Sequence, residues 1–98
     1  MYLKVHETRQ GRIVAACDKA LVGRVLREGK KILDLKTYKN FYVGQSAKEA
    51  DVQQALKSFS SANLVGKKAT QIAIEMGLAE ETQVLYIGGI PYLQMYKI

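Results

Sequence analysis

Apolar and polar residues alternate over residues 2–8 (YLKVHET), a half-buried strand with Leu3 and Val5 on one face. Gln10-Gly11 is a turn signal, and RIVAACD over 12–18 returns as a second strand, so the chain opens with a hairpin. With Gln10-Gly11 as a two-residue loop, Thr8 faces Ile13, His6 faces Ala15, and Cys17 lies one diagonal step from His6. Diagonal neighbours sit roughly 7–8 Å apart, too far for a Cys–His nucleophile pair, so Cys17 reads as a small buried hydrophobe. Asp18 caps one helical turn over 18–22. The glycine-bounded stretch Gly23–Lys31 reads as a basic loop. Short strands follow at 32–35 and at 38–43 (YKNFYV).

Two consecutive helices come next. Ser46 and Glu49 have the spacing of a capping box, which starts a helix over about 47–58 with Val52, Ala55, Leu56 and Phe59 on its buried side. The stretch 58–77, SFSSANLVGKKATQIAIEMG, reads as one longer helix. Ser60, Ser61 and Asn63 suit its N-terminus, Ala62, Val65, Ala69, Ile72, Ala73 and Met76 make one apolar stripe, and Gly77 marks the stop. A strand over 83–87, a turn at Gly88-Gly89-Ile90-Pro91 and a last strand over 92–97 complete the chain. The pattern predicts one α+β domain over residues 1–98, a mostly antiparallel or mixed sheet of about six short strands with two consecutive helices packed on it.

Composition bounds the function. The chain has 98 residues, 48 % hydrophobic and 24 % charged, enough apolar material for a core. No apolar run nears the ~20 residues that span a bilayer, and no signal-peptide pattern opens the chain, so a soluble cytoplasmic protein is expected. One cysteine and one histidine leave no internal disulfide and no structural zinc site. No cofactor or metal is expected.

Charge changes the picture more. The net charge is +6, and residues 1–39 account for all of it, with Lys4, Arg9, Arg12, Lys19, Arg24, Arg27, Lys30, Lys31, Lys36 and Lys39 against Glu7, Asp18, Glu28 and Asp34. Such asymmetry points to a polyanion or an acidic partner, or to a solvated basic surface without one. Arg24, Arg27, Lys30 and Lys31 suit phosphate contacts, although Arg27 and Glu28 would equally fix a structural turn by pairing with neighbours. Gly66 lies where a helix interior resists glycine, so something approaches its backbone. Either a neighbouring strand packs there, or an anion binds at the helix start with Asn63, Lys67 and Lys68. The tyrosines beside basic strands suit stacking on single-stranded bases, and tyrosine is also a common strand residue.

No catalytic set accompanies these residues. Gly66-Lys67-Lys68 fails the P-loop pattern, which needs glycine at Ser61, Ser or Thr at Lys68, and a strand before it where a helix is expected here. Gly88, Gly89 and Pro91 precede a strand, so they are not a dinucleotide fingerprint; they form a turn, or a binding loop with Tyr92.

Met1-Tyr2-x-Lys4-Val5, Arg27-Glu28-Gly29, Asn63-Leu64-Val65-Gly66, Gly77-Leu78 and Ile87-Gly88-Gly89-x-Pro91 together resemble, in the same order and across essentially the whole chain, the archaeal family catalogued as domain of unknown function 424. The family carries His after the proline, where this chain has Tyr92, so an acid–base or metal role at that position does not carry over. The resemblance implies a small cytosolic archaeal protein of unassigned biochemistry, often suspected of belonging with translation, and supplies no catalytic residues. Three readings follow: a non-enzymatic module binding RNA or the ribosome through the basic half, a protein-interaction or homodimerisation domain, and an enzyme holding a small anion between Asn63–Lys68 and Gly88–Pro91.

Overall fold

The computed structural model describes residues 1–97. In chain order it has strands β1 (Tyr2–Thr8), β2 (Gly11–Cys17), β3 (Val25–Glu28) and β4 (Lys31–Asp34), helix α1 (Lys39–Tyr42), strand β5 (Gln45–Ser46), helix α2 (Glu49–Ala55), strand β6 (Ser61–Val65), helix α3 (Lys67–Glu75) and strands β7 (Leu85–Ile87) and β8 (Ile90–Tyr96). Six strands form one mixed sheet in the order β5-β1-β2-β6-β8-β7, and β3 pairs with β4 as a separate hairpin. Every pairing is antiparallel except β2 with β6. The α+β class therefore holds. Among the described residues no helix is long and apolar enough to cross a membrane.

Alternation on the central strands produces two buried layers. Leu3, Val14, Ala16, Ala62, Leu64, Leu93 and Met95 face α2 and α3, whose Val52, Leu56, Ala69, Ile72 and Ala73 close over them. Ala15, Cys17 and Val65 point the other way, beneath Leu21, Leu26, Leu35 and Tyr42. Each fully buried Leu or Val contributes about 1.5–3 kcal/mol, and the hairpin's share rests largely on Leu26 and Leu35.

Several expectations are corrected. The single helix over 58–77 is a strand, a glycine turn and a helix: β6, Gly66 and α3. Ala62, Leu64 and Val65 are buried while Ser61 and Asn63 are half-buried. The alternation is short, and Ala62 and Val65 fall equally well on the helical spacing of Ala69, Ile72 and Ala73. Gly66-Lys67-Lys68 therefore follows a strand rather than a helix, although Ser61 and Lys68 still break the phosphate-loop pattern. The Ser46/Glu49 capping box does not form, because Ser46 belongs to β5; α2 starts at Glu49, where Asp51 accepts the Lys48 N–H at 2.9 Å.

The basic stretch 23–31 is mostly hairpin rather than loop, turning at Gly29 with φ +60°. YKNFYV is not a strand; Lys39–Tyr42 make one helical turn, seated by Phe41 stacked on His6 and by buried Tyr42. The first hairpin turns at Arg9-Gln10, two residues from the expected register. The Thr8 hydroxyl accepts the Gln10 N–H and donates to the Gly11 carbonyl. His6 consequently opposes Ile13 and Cys17 opposes Tyr2, further apart than the diagonal step expected.

Candidate functional site

The parallel strands β2 and β6 end side by side, and there the chain meets the start of α3. The Asp18 N–H donates to the Val65 carbonyl at 3.0 Å. Its carboxylate does not cap its own short turn, Lys19–Leu21. It reaches across the sheet end to accept from the N–H groups of Lys68 at 3.1 Å and Ala69 at 3.0 Å. A helix start presents unpaired N–H groups and partial positive charge, and here an internal carboxylate answers both.

Gly66 makes that approach possible. Its φ is +105°, and a Cβ placed on it would lie 2.3 Å from the Asp18 Cγ. Its N–H donates to the Pro91 carbonyl at 2.9 Å, which ties the turn to β8. An anion does sit against the Gly66 backbone, and it is Asp18. Lys67 and Lys68 keep exposed side chains beside this corner, while Asn63 points to the second face of the sheet and accepts from Gln94 Nε2 at 3.0 Å.

Arg24, Arg27, Lys30 and Lys31 all lie on or beside the β3–β4 hairpin and are exposed, Arg24 where the hairpin opens and Lys30 and Lys31 at its turn. The hairpin is latched by Glu28, whose Oε1 accepts the Gly88 N–H at 3.1 Å. Gly88 and Gly89 have φ of +58° and +79°, the tight turn that brings that N–H to the carboxylate.

The acids of the basic half are thus largely consumed by backbone. Asp18 holds α3, Glu28 holds the Gly88 turn, and Asp34 Oδ1 accepts from the N–H groups of Lys36 at 3.0 Å and Thr37 at 2.8 Å. The Thr37 backbone N–H is the main reason the Asp34 carboxyl lies below its ordinary range. Only Glu7 faces a cation, Arg12 at 2.7 Å, and this is the one ion pair among the described residues. The hairpin cations have none.

Residues 6–98 match a family model described as "Protein of unknown function (DUF424)". The chain belongs to the DUF424 family. It is similar in structure to an uncharacterized conserved protein from Methanopyrus kandleri, with a TM-score of 0.75 and 27 % sequence identity over 97 % of this chain and 89 % of that one. No curated protein matches it.

Three stretches that carry the DUF424 resemblance meet in space. Arg27-Glu28-Gly29 touches Ile87–Pro91 through the Glu28–Gly88 bond, and Asn63–Gly66 joins Pro91 through the Gly66 N–H. Pro91 is placed where its missing N–H costs no ladder bond to β6, whose pairing with β8 ends at Val65–Tyr92. Gly77, with φ +73°, ends α3 as expected, and the Leu78 N–H closes back on the Ala73 carbonyl at 3.0 Å.

Beside this corner lies a run of rings. His6 stacks on Phe41 with centroids 4.7 Å apart, and Phe41 meets Tyr42 edge-on at 5.1 Å. Burial, then the neighbouring Tyr92 and Cys17, push the Tyr42 phenol above its ordinary range. The Tyr92 phenol is raised by burial and then by Tyr96. Tyr92, Gln94 and Tyr96 share one strand face, as the alternation over 92–97 predicts, with Tyr92 half-buried and Gln94 and Tyr96 exposed.

Neither His6 nor Cys17 is set up as a nucleophile or its base. His6 Nε2 lies 2.9 Å from the Phe41 carbonyl, and the buried Cys17 thiol, which donates to the Asp18 carbonyl at 3.4 Å, is pushed up to about 12, first by burial and then by the Asp18 charge. Among the described residues, no three His, Cys, Asp or Glu side chains gather as metal ligands would.

Proposed function

We propose that this protein is a non-catalytic RNA-binding module of the cytoplasm, working with the translation machinery, which grips phosphates through the β3–β4 hairpin. The observation that carries the reading is the division of labour among charges. Asp18, Glu28 and Asp34 are spent on backbone N–H groups, so Arg24, Arg27, Lys30 and Lys31 stand exposed without a carboxylate partner. Exposed cations without counter-charges raise the local potential and attract a polyanion. Arginine forks suit phosphate oxygens in particular. Lys67 and Lys68 add exposed charge near the same corner, with their helix start already closed by Asp18.

The test is RNA binding by purified wild type and by Arg24→Ala/Arg27→Ala at low and at physiological salt. Binding by wild type that weakens with salt, and more weakly still in the double variant, supports the reading. Absence of binding at low salt contradicts it.

A second reading has its own observation. Edge strand β7 carries Leu85 and Tyr86, 49 % and 54 % exposed. A protein partner or second copy pairing there would associate with little salt dependence and would not require the hairpin cations.

A further inference from the structure

We infer that the second face of the sheet takes up unpaired bases, so that the RNA strand held by the hairpin is single-stranded where it crosses β8; this rests on the RNA reading above. One face of the sheet is sealed by α2 and α3. The other is covered by the hairpin and α1 over Ala15, Cys17, Val65 and Ile87, with half-buried Tyr92 at the border of that cover and α1 resting on Lys4 and His6. Strand register lays two rows across the rest of that face: Lys4–Ala15–Asn63–Gln94 and His6–Ile13–Ser61–Tyr96. Towards β8 these rows are open, with Gln94 exposed and Tyr96 exposed to 71 %.

What lies there is suited to a base rather than to another helix. Tyr96 is the exposed ring there. Tyr92, half-buried against the layer of Leu26 and Tyr42, borders it two pleats away, roughly 13 Å at the usual rise, with the Asn63–Gln94 amide pair between their rows. Exposed aromatic residues on the open sheet face of other single-strand-binding modules stack two or three unpaired bases. In the amide pair, Gln94 Nε2 donates to Asn63 Oδ1, which leaves the Gln94 carbonyl and the Asn63 amide N–H₂ for the edge of a base. An apolar partner would bury those groups unpaired, at a cost. The charge complement is supplied by the unpaired hairpin cations, whose strand β3 lies against β7 at the sheet's edge. A duplex keeps its ring faces stacked on one another and has none to offer Tyr96.

The experiment compares a short oligouridylate with an RNA duplex of the same length, for wild type, Tyr96→Ala, Tyr96→Phe and Arg24→Ala/Arg27→Ala, with circular dichroism to verify folding. Wild type is expected to prefer the single strand. Tyr96→Ala should weaken that binding about tenfold, within the range measured for one stacked base, while leaving its salt dependence and the duplex affinity unchanged. Tyr96→Phe, which keeps the ring, should bind as wild type does. If Tyr96→Ala binds oligouridylate like wild type while the arginine variant weakens both RNAs, the platform is overturned and the RNA reading stands. If wild type binds neither RNA, both fall.

Discussion

Gly66 and Asp18 lie fused at the end of the parallel strand pair, so close that a single methyl group on the glycine would overlap the carboxylate at 2.3 Å from its Cγ. The carboxylate closes the start of α3 from a position 50 residues earlier than Lys68. The contact therefore joins the first strand pair to the last helix.

Gly66→Ala should destabilise the protein by about 2–4 kcal/mol, combining the cost of a positive φ with displacement of the cap. Asp18→Ala alone should cost about 1–2 kcal/mol. Urea unfolding of both single variants and of the double variant decides whether the two effects share a cause. The double variant should lose less than the sum, because removing the carboxylate removes the clash. Strict additivity would contradict this account of Gly66.

Leu26 is the hairpin's buried anchor over Cys17. Leu26→Ala should cost about 2–5 kcal/mol and let the hairpin open locally, so that Cys17 reacts with a thiol reagent faster than global unfolding allows. Thiol-labelling rates measured beside urea stability would show it. A labelling rate that merely tracks global stability would mean the hairpin does not open by itself.

Alkaline conditions should destabilise the fold. Cys17 ionises at its ordinary 9.0 when unfolded but only at about 12 when folded, and Tyr42 and Tyr92 are raised in the same sense. The folded state thus holds protons that the unfolded chain has released. Its stability is complete below pH 9 and is lost as pH rises through the interval to the folded value. The urea midpoint should be level from neutral pH to about pH 8.5 and fall above it, less steeply in Cys17→Ala. A midpoint that rises above pH 9 would contradict the burial of these groups.

The two outer hairpins of the sheet were legible because their physics is local: alternation in YLKVHET, and glycines at 88 and 89 before the alternating face of Tyr92, Gln94 and Tyr96. The middle of the chain was not. The polar–apolar alternation of β6 is short, and Ala62 and Val65 also fit the helical spacing of Ala69, Ile72 and Ala73, so the pattern runs without a break from strand into helix. YKNFYV alternates like a strand, yet the ring of His6 and the core under Tyr42 wind it into a turn of helix.

The site divides in the same way. A basic cluster at Arg24, Arg27, Lys30 and Lys31 could be read from composition, and so could the oddity of Gly66. That Asp18 packs on Gly66 and accepts from Lys68, 50 residues away, and that Glu28 accepts from Gly88, 60 residues away, leaves no local signal. Alternation places Tyr96 on one face with Tyr92 and Gln94, but tyrosine is common in strands, and only the sheet topology shows that this face is left uncovered at Tyr96.

The most direct test of the central claim is the salt slope of RNA affinity, measured for wild type and for Arg24→Ala/Arg27→Ala. Each phosphate released from a single strand lowers the slope of log K against log salt by about 0.7. The double variant should therefore bind more weakly and with a slope shallower by roughly 1.4. Equal slopes, or binding that ignores salt altogether, would contradict a phosphate-gripping hairpin.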